Sequence, residues 1–207
     1  TENFATNSTE DQAASGGNDG SGHYWAMGID INKCIGCKYC TFACQAVNDL
    51  PDDMIYNVVT EEKAPNDVKY YLSRPCMHCE SAPCVHVCPV EATYHREDGI
   101  VEMDYDRCIG CRYCMVACPY DARVFNWEDH SEFENPNIPD FGIAEVEKRP
   151  RGVVEKCTFC SHRIDAGLER HLVPGIDAHA TPACVVICPT GARVFGDQND
   201  PESPITE

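Results

Sequence analysis

Leucine is scarce in this sequence: four in 207 residues (Leu50, Leu72, Leu168 and Leu172). A chain long enough for one or two domains rarely builds its core on so little, so something besides aliphatic packing fills the interior. Long apolar runs are missing as well. No stretch approaches the roughly 18 apolar residues of a membrane-spanning helix, which excludes a direct span. Positive charge is sparse, with 16 Lys and Arg against 34 Asp and Glu and a net charge of −18. That balance excludes a grip on a nucleic-acid backbone, and no basic amphipathic stretch offers insertion at a membrane surface. The first 22 residues lack the basic and apolar regions of a signal peptide and carry no twin arginine. They are small and polar, and read as a disordered or extended tail.

Cysteine is abundant, with 16 residues in four tight groups. The first is Cys34, Cys37, Cys40, Cys44. The second is Cys76, Cys79, Cys84, Cys88, followed by Pro89. The third is Cys108, Cys111, Cys114, Cys118, followed by Pro119. The fourth is Cys157, Cys160, then a long gap to Cys184, Cys188 and Pro189. Disulfide scaffolds are usually short secreted chains with Cys scattered through loops, unlike this grouping. Zinc uses two C-x-x-C pairs separated by a loop, which suits the fourth group alone. The third group is the bacterial ferredoxin run C-x2-C-x2-C-x3-C-P, and the first matches it except that Gln45 replaces the final proline. Four complete sets of four thiols, with none left over, point to four [4Fe–4S] clusters. Three Cys within seven residues let a loop wrap three corners of a cubane, and Gly36 and Gly110 sit where backbone must approach closely. The last Cys lies one helical turn beyond the third, where it can reach a second cluster, as it does in two-cluster ferredoxins. Pro89, Pro119 and Pro189 then stop each short helix.

Internal repeats reinforce this. Asp30–Cys40 parallels Asp104–Cys114, and Cys118-Pro-Tyr-Asp-Ala-Arg-Val-Phe125 echoes Cys188-Pro-Thr-Gly-Ala-Arg-Val-Phe195. Between groups two and three, Asp98-Gly99 separates two short β-like runs and predicts a type I′ hairpin. Cluster loop, helix, hairpin and second cluster loop form the pseudo-twofold plan of a two-cluster ferredoxin, and the chain holds two such plans. Residues 45–70 and 126–156 are long Asn-, Asp-, Glu- and Pro-rich excursions, of a kind that usually contacts partners.

These motifs resemble the four-cluster electron-transfer subunits of the complex iron–sulfur molybdoenzymes, the family of polysulfide, thiosulfate, tetrathionate, dimethyl sulfoxide and arsenate reductases. The carriers are Cys34-Ile-Gly-Cys37, Cys76-Met-His-Cys79, Ala82-Pro-Cys84, Arg107-Cys-Ile-Gly-Cys-Arg-Tyr-Cys114 and Arg151-Gly-Val-Val-Glu-Lys-Cys-Thr-Phe-Cys160. The last phrase looks closest to the polysulfide-reductase and alternative-complex-III branch. The resemblance implies an α+β chain of two ferredoxin-like modules, one inserted in the other, with long irregular loops. Module A takes 23–70 plus 150–207, module B takes 71–125, and 126–149 is an excursion. It implies a relay with no substrate site of its own, between a molybdopterin-type catalytic subunit and a quinone-interacting membrane subunit. The complex is then membrane-associated through its partners, on the periplasmic or outer face by co-export with a signal-bearing subunit. It also pairs group one with four and two with three. The implied ligand sets are Cys34, Cys37, Cys40 with Cys188; Cys157, Cys160, Cys184 with Cys44; Cys108, Cys111, Cys114 with Cys88; and Cys76, Cys79, Cys84 with Cys118. Some relatives replace the second Cys of group three and hold a three-iron cluster; Cys111 is intact here, so all four clusters are expected to be [4Fe–4S].

Two other functions fit parts of the pattern: a freestanding polyferredoxin serving soluble enzymes, and a zinc-stabilised interaction module. The long excursions favour the subunit over the polyferredoxin. His78 and His86 lie inside cysteine groups and read as packing beside the cluster rather than as ligands, because sixteen Cys already suffice. His162 and His171 read as loop or interface residues. Lys33, Lys38, Arg107, Arg112, Lys156 and Arg163 flank cluster loops, where they either raise a cluster's potential or are simply solvated. Trp25, Trp127 and the tyrosines read as packing. The acidity suits a basic partner surface, a halophilic source or ordinary solubility. Four oxidised clusters with their thiolates carry about −8 in addition, roughly −26 in total, so burial against partners is expected.

Overall fold

In a computed structural model the chain is described over residues 22–206. The tail expected at 1–22 lies, except for Gly22, outside the described residues. Its elements are short, as expected where cysteine loops carry the architecture. They are β1 (Trp25–Ile29), α1 (Tyr39–Val47), β2 (Val58–Lys63), β3 (Lys69–Arg74), α2 (Pro83–His86), β4 (Thr93–His95), β5 (Val101–Met103), α3 (Tyr113–Val116), β6 (Arg123–Phe125), β7 (Val154–Lys156), α4 (Ser161–Glu169), α5 (Ala183–Val186) and β8 (Arg193–Asp197).

The strands form four separate antiparallel pairs: β1–β8, β2–β3, β4–β5 and β6–β7. The first joins the two ends of the described chain, with Met27 opposite Phe195. The last sets Arg123 opposite Lys156. Helices pair in the same sense, α1 against α5 and α2 against α3. The helix that carries the third Cys of its group is four residues long in α2, α3 and α5, each ending a few residues before Pro89, Pro119 or Pro189. Where Gln45 stands in place of proline, α1 continues through Cys44 to Val47, as the missing steric block allows. Gln45 is then buried and donates from its side chain to the Pro51 and Asp52 carbonyls.

Two sequence expectations change. The β4–β5 hairpin is present, but its connection is not type I′, which requires positive φ at both central residues. Only Gly99 is left-handed (φ +84°), and the Arg96–Gly99 turn closes a three-residue loop, Glu97-Asp98-Gly99, between Arg96 and Ile100. This is the type I turn followed by a left-handed glycine that serves three-residue hairpins. The excursion at 45–70 is also not irregular: much of it is the β2–β3 hairpin, which runs on to Arg74 across the expected boundary at residue 70. It packs against the first and fourth groups, with Ser73 and Asn57 accepting from Arg193 beyond the fourth group and the Tyr71 ring against Gly36.

Residues 126–150 contain no helix or strand, yet they are tied down. Asn135 donates to the Gln45 carbonyl (2.8 Å), the Glu145 amide to the Val47 carbonyl (2.9 Å), and Phe141 packs on Phe42 and Tyr39. The loop therefore covers α1. The main core joins Trp25, Leu50, Ile100, Phe159, Ile164 and Phe195 around the thiols of Cys44 and Cys157. A second core packs Val101, Met103 and Val154 around Cys84 and Cys114. Cysteine thus stands where leucine is missing, and Trp25, stacked on Phe195, is a packing residue as expected.

Candidate metal centre

The sixteen cysteines are free thiols, and they gather in four places. One cavity is lined by Cys34, Cys37, Cys40 and Cys188. Another is lined by Cys76, Cys79, Cys84 and Cys118. A third is lined by Cys88, Cys108, Cys111 and Cys114. In the fourth place Cys44 faces Cys160, Cys157 and Cys184, all four buried. In each, three thiols come from one group and one from another.

Local backbone explains the convergence. Gly36 and Gly110 take φ +69° and +68°, and Lys38 and Arg112, two residues on, are also left-handed before their helices begin. This double turn curls the loop so that its thiols face one point. After the last Cys of groups two, three and four comes a left-handed residue: Glu91 (φ 52°), Asp121 (φ 50°) and Gly191 (φ 61°). It turns the next amide back toward the preceding thiol. The Ala92 N–H donates to Cys88 Sγ (3.2 Å) and the Ala122 N–H to Cys118 Sγ (3.5 Å). For Cys88, burial alone pushes the thiol up, but the amides of Thr93, Val90 and Ala92 outweigh it and hold it below the ordinary value. Cys188 is lowered likewise: burial opposes, while the Thr190 hydroxyl and the Ala192 and Thr190 amides prevail.

In the fourth place the balance is reversed. Burial, followed by the neighbouring sulfurs, pushes the Cys44 thiol well above its usual range, and burial pushes Cys160 up to about 12. Such thiols ionise only when a metal takes the charge, so binding and folding are linked there. A single zinc holds its thiolates roughly 3.8 Å apart, given Zn–S bonds of about 2.3 Å. Among the described residues no three His, Cys, Asp or Glu side chains converge closely enough for a single ion. Four thiols spread around a cavity suit a larger inorganic core. The donor set therefore fits the [4Fe–4S] cluster, whose chemistry is reversible one-electron exchange.

His78 is buried as expected of packing: its Nδ1 accepts the Val101 N–H (3.0 Å) and its ring lies on Phe159 at 3.8 Å. His86 is exposed. His162 lies on helix α4, not in a loop, and contacts Glu145 (3.3 Å). Of the flanking cations, Lys33 and Arg107 are exposed, while Lys156 is fully buried. Sequence reasoning missed Arg123 and Arg193, both buried against cluster thiols. Arg123 donates to Cys84 Sγ (3.0 Å) and Arg193 to Cys184 Sγ (3.4 Å). The signal was visible in the echoed Ala-Arg-Val-Phe phrase.

Fold and site together define a multi-cluster, ferredoxin-like electron carrier. The 4Fe-4S dicluster domain family matches residues 33–92 and 107–192, and a second family of the same description matches 68–134. The chain is 45% identical to a Halobacterium salinarum protein bearing the name of a dimethyl sulfoxide reductase iron-sulfur subunit, covering 88% of this chain and 70% of that one. It is 43% identical to a selenate reductase subunit of Mesobacillus selenatarsenatis (88% and 63%) and to the iron-sulfur cluster-binding subunit of menaquinone reductase from Nitratidesulfovibrio vulgaris (88% and 79%). The chain belongs to the family of iron–sulfur subunits of the polysulfide, thiosulfate, tetrathionate and menaquinone reductase complexes. It is an electron-transfer subunit, not a catalytic one, and its sixteen cysteines serve four [4Fe–4S] clusters.

Proposed function

We propose that this chain relays single electrons between a quinone-linked membrane subunit and a molybdopterin-type catalytic subunit, through four clusters in one line. The observation that carries this is the grouping of thiols: three from one group and one from its partner group, four times over. On this reading the ligand sets are Cys34, Cys37, Cys40, Cys188; Cys44, Cys157, Cys160, Cys184; Cys76, Cys79, Cys84, Cys118; and Cys88, Cys108, Cys111, Cys114. Groups two and three make a ferredoxin-like module inserted within the module of groups one and four, a nesting supported by the β1–β8 and α1–α5 pairings. Cys157 and Cys76 lie close enough to influence each other, which makes the sets containing them neighbours. The order is then the Cys34 set, the Cys157 set, the Cys76 set and the Cys108 set.

Both ends of this line are open. Cys37 is exposed beside Ile35 and Tyr39, and Cys111 is exposed beside Ile109 and Tyr113. Exposed apolar residues around an exposed ligand loop suit a partner subunit at each end. No helix of the described residues is long and apolar enough to cross a membrane; on this reading the membrane subunit supplies the anchor. We place the complex on the outer face, exported with its partner. Two experiments test the reading. Cys44→Ser is expected to perturb the Cys157 set and leave the Cys34 set with all its ligands; loss of the Cys34 cluster instead refutes the crossover. Affinity purification from native membranes is expected to bring down a molybdenum-containing subunit and a membrane subunit; a monomeric soluble chain refutes the partnership.

A further inference from the structure

Three buried cations lack a carboxylate. Arg123 is 2% exposed, Arg193 5% and Lys156 0%. Three other buried or half-buried arginines are paired in the ordinary way: Arg149 with Glu155, Arg163 with Glu145, Arg96 with Asp98 and Asp165. Among the described residues none of the three cations has an acidic side chain within ion-pairing distance. A buried unpaired charge is costly, and arginine does not escape by losing its proton. In a chain of net charge −18, the absence of acidic partners at these three positions needs another source of negative charge.

Their neighbours supply it. Arg123 donates to Cys84 Sγ, Thr93 Oγ1 and Met103 Sδ, and also faces Cys114. Cys84 and Cys114 belong to the two different thiol sets of groups two and three. Arg193 occupies the equivalent position in the other half. It donates to Cys184 Sγ, Met27 Sδ, Asn57 Oδ1 and Ser73 Oγ, and faces Cys40. Cys184 and Cys40 again belong to two different sets. Lys156 donates to the Cys157 carbonyl (2.7 Å) and to the carbonyl of Val101, a residue that lines the Cys76 cavity. It lies between the halves, one strand across from Arg123.

We infer that Arg193, Lys156 and Arg123 are fixed positive spacers, one in each of the three gaps along the line of clusters, which offset the repulsion between neighbouring clusters as electrons pass. The inference rests on the cluster reading proposed above. Each reduction adds one negative charge to a site already anionic and discourages reduction of the next. A positive charge held in the gap favours the reduced state on both sides of it. The electron itself comes from the donor subunit and leaves to the acceptor subunit; the cations gain and lose nothing.

Anaerobic reductive titration of the intact holoprotein, followed by electron paramagnetic resonance, tests this. Iron and sulfide are counted first: about sixteen of each per chain is the cluster reading, and a count that fails overturns that reading rather than this one. Arg193→Gln, Lys156→Gln and Arg123→Gln each remove one charge and keep an amide donor. Each is expected to make reduction of two of the four centres at least tenfold less favourable, a fall of about 59 mV for a one-electron couple. The three affected pairs are expected to overlap as a chain, so that two centres move in two variants and two centres in one. Arg123→Lys and Arg193→Lys keep the charge and are expected to shift no centre by as much as threefold. Shifts in all four centres together, or in none, overturn the inference. If the glutamine variants load poorly, the lysine variants decide it. A tenfold fall at both flanking centres with charge retained shows that guanidinium packing sets the potentials, which also overturns it.

Discussion

Replacing Gly110 with alanine isolates the cost of close backbone approach at a cluster loop. Gly110 sits at φ +68°, and an added Cβ falls 2.1 Å from the Gly152 carbonyl oxygen and 3.2 Å from the Phe125 ring. The carbonyl belongs to a turn pinned by the Gly152 N–H bond to the Asn126 carbonyl (2.8 Å), so it yields only if that turn moves. The left-handed conformation costs a residue with a Cβ roughly 1–2 kcal/mol. Overpacking against a fixed backbone adds about 1–3 kcal/mol, for a total of roughly 2–5 kcal/mol. Gly191 is the control. Its φ is +61° and nothing lies within 4 Å of an added Cβ, so Gly191→Ala costs the conformational part alone. Gly191→Asp is expected to cost less still, because Asp121 already adopts φ 50° at the matching position and Asp tolerates this region. For a chain of this size each kcal/mol lowers the melting temperature by about 2–4 °C. Anaerobic melting of the loaded protein at one scan rate is expected to rank Gly110→Ala lowest, then Gly191→Ala, then Gly191→Asp. Equal melting temperatures for the two alanine variants refute the claim that the Gly152 carbonyl, rather than backbone preference, makes glycine necessary at 110.

Stripping the iron with a chelator under reducing conditions is expected to unfold the chain, because the cores close around Cys44, Cys84, Cys114 and Cys157; retained far-ultraviolet circular dichroism and protease resistance contradict this. Arg96→Ala is expected to destabilise the loaded protein by roughly 1–2 kcal/mol, since Arg96 ties Asp98 of the β4–β5 hairpin to Asp165 of α4 at 2.6–3.2 Å with Asp165 half in solvent. An unchanged melting temperature refutes that tie.

Much of the site was legible in the cysteine spacing alone. Spacing within each run reports a local event, a loop curling over a few residues, so Gly36, Gly110 and the helix-stopping prolines were readable directly. The exception at Gln45 was readable too, although its result, a helix carried on through Cys44, needed the structure. The β2–β3 hairpin was hidden because Asn- and Asp-rich composition resembles loop, while its pairing is held by long-range contacts such as Ser73 with Asn57 and Arg193. The turn at Asp98-Gly99 was misread because one residue, Glu97, decides between a two- and a three-residue connection. The buried cations were the deepest omission. Charged side chains are ordinarily solvated, and nothing local in Arg123 or Arg193 announces burial; only their matching place after the Cys118-Pro119 and Cys188-Pro189 turns did.

The exposure of the four thiol sets is uneven, and this bears on how the protein ages in air. Cys37 and Cys111, which the proposed order puts in the two end sets, are open to solvent, while Cys44, Cys157, Cys160 and Cys184 are buried together. Oxygen and peroxide therefore meet the ends first. On the proposed order, once the partner subunits are stripped away, damage is expected to run inward from both tips and to reach the set around Cys44 last. A preparation that still looks brown can thus have lost both contacts with the outside and conduct nothing, which makes colour a poor gauge of an intact wire.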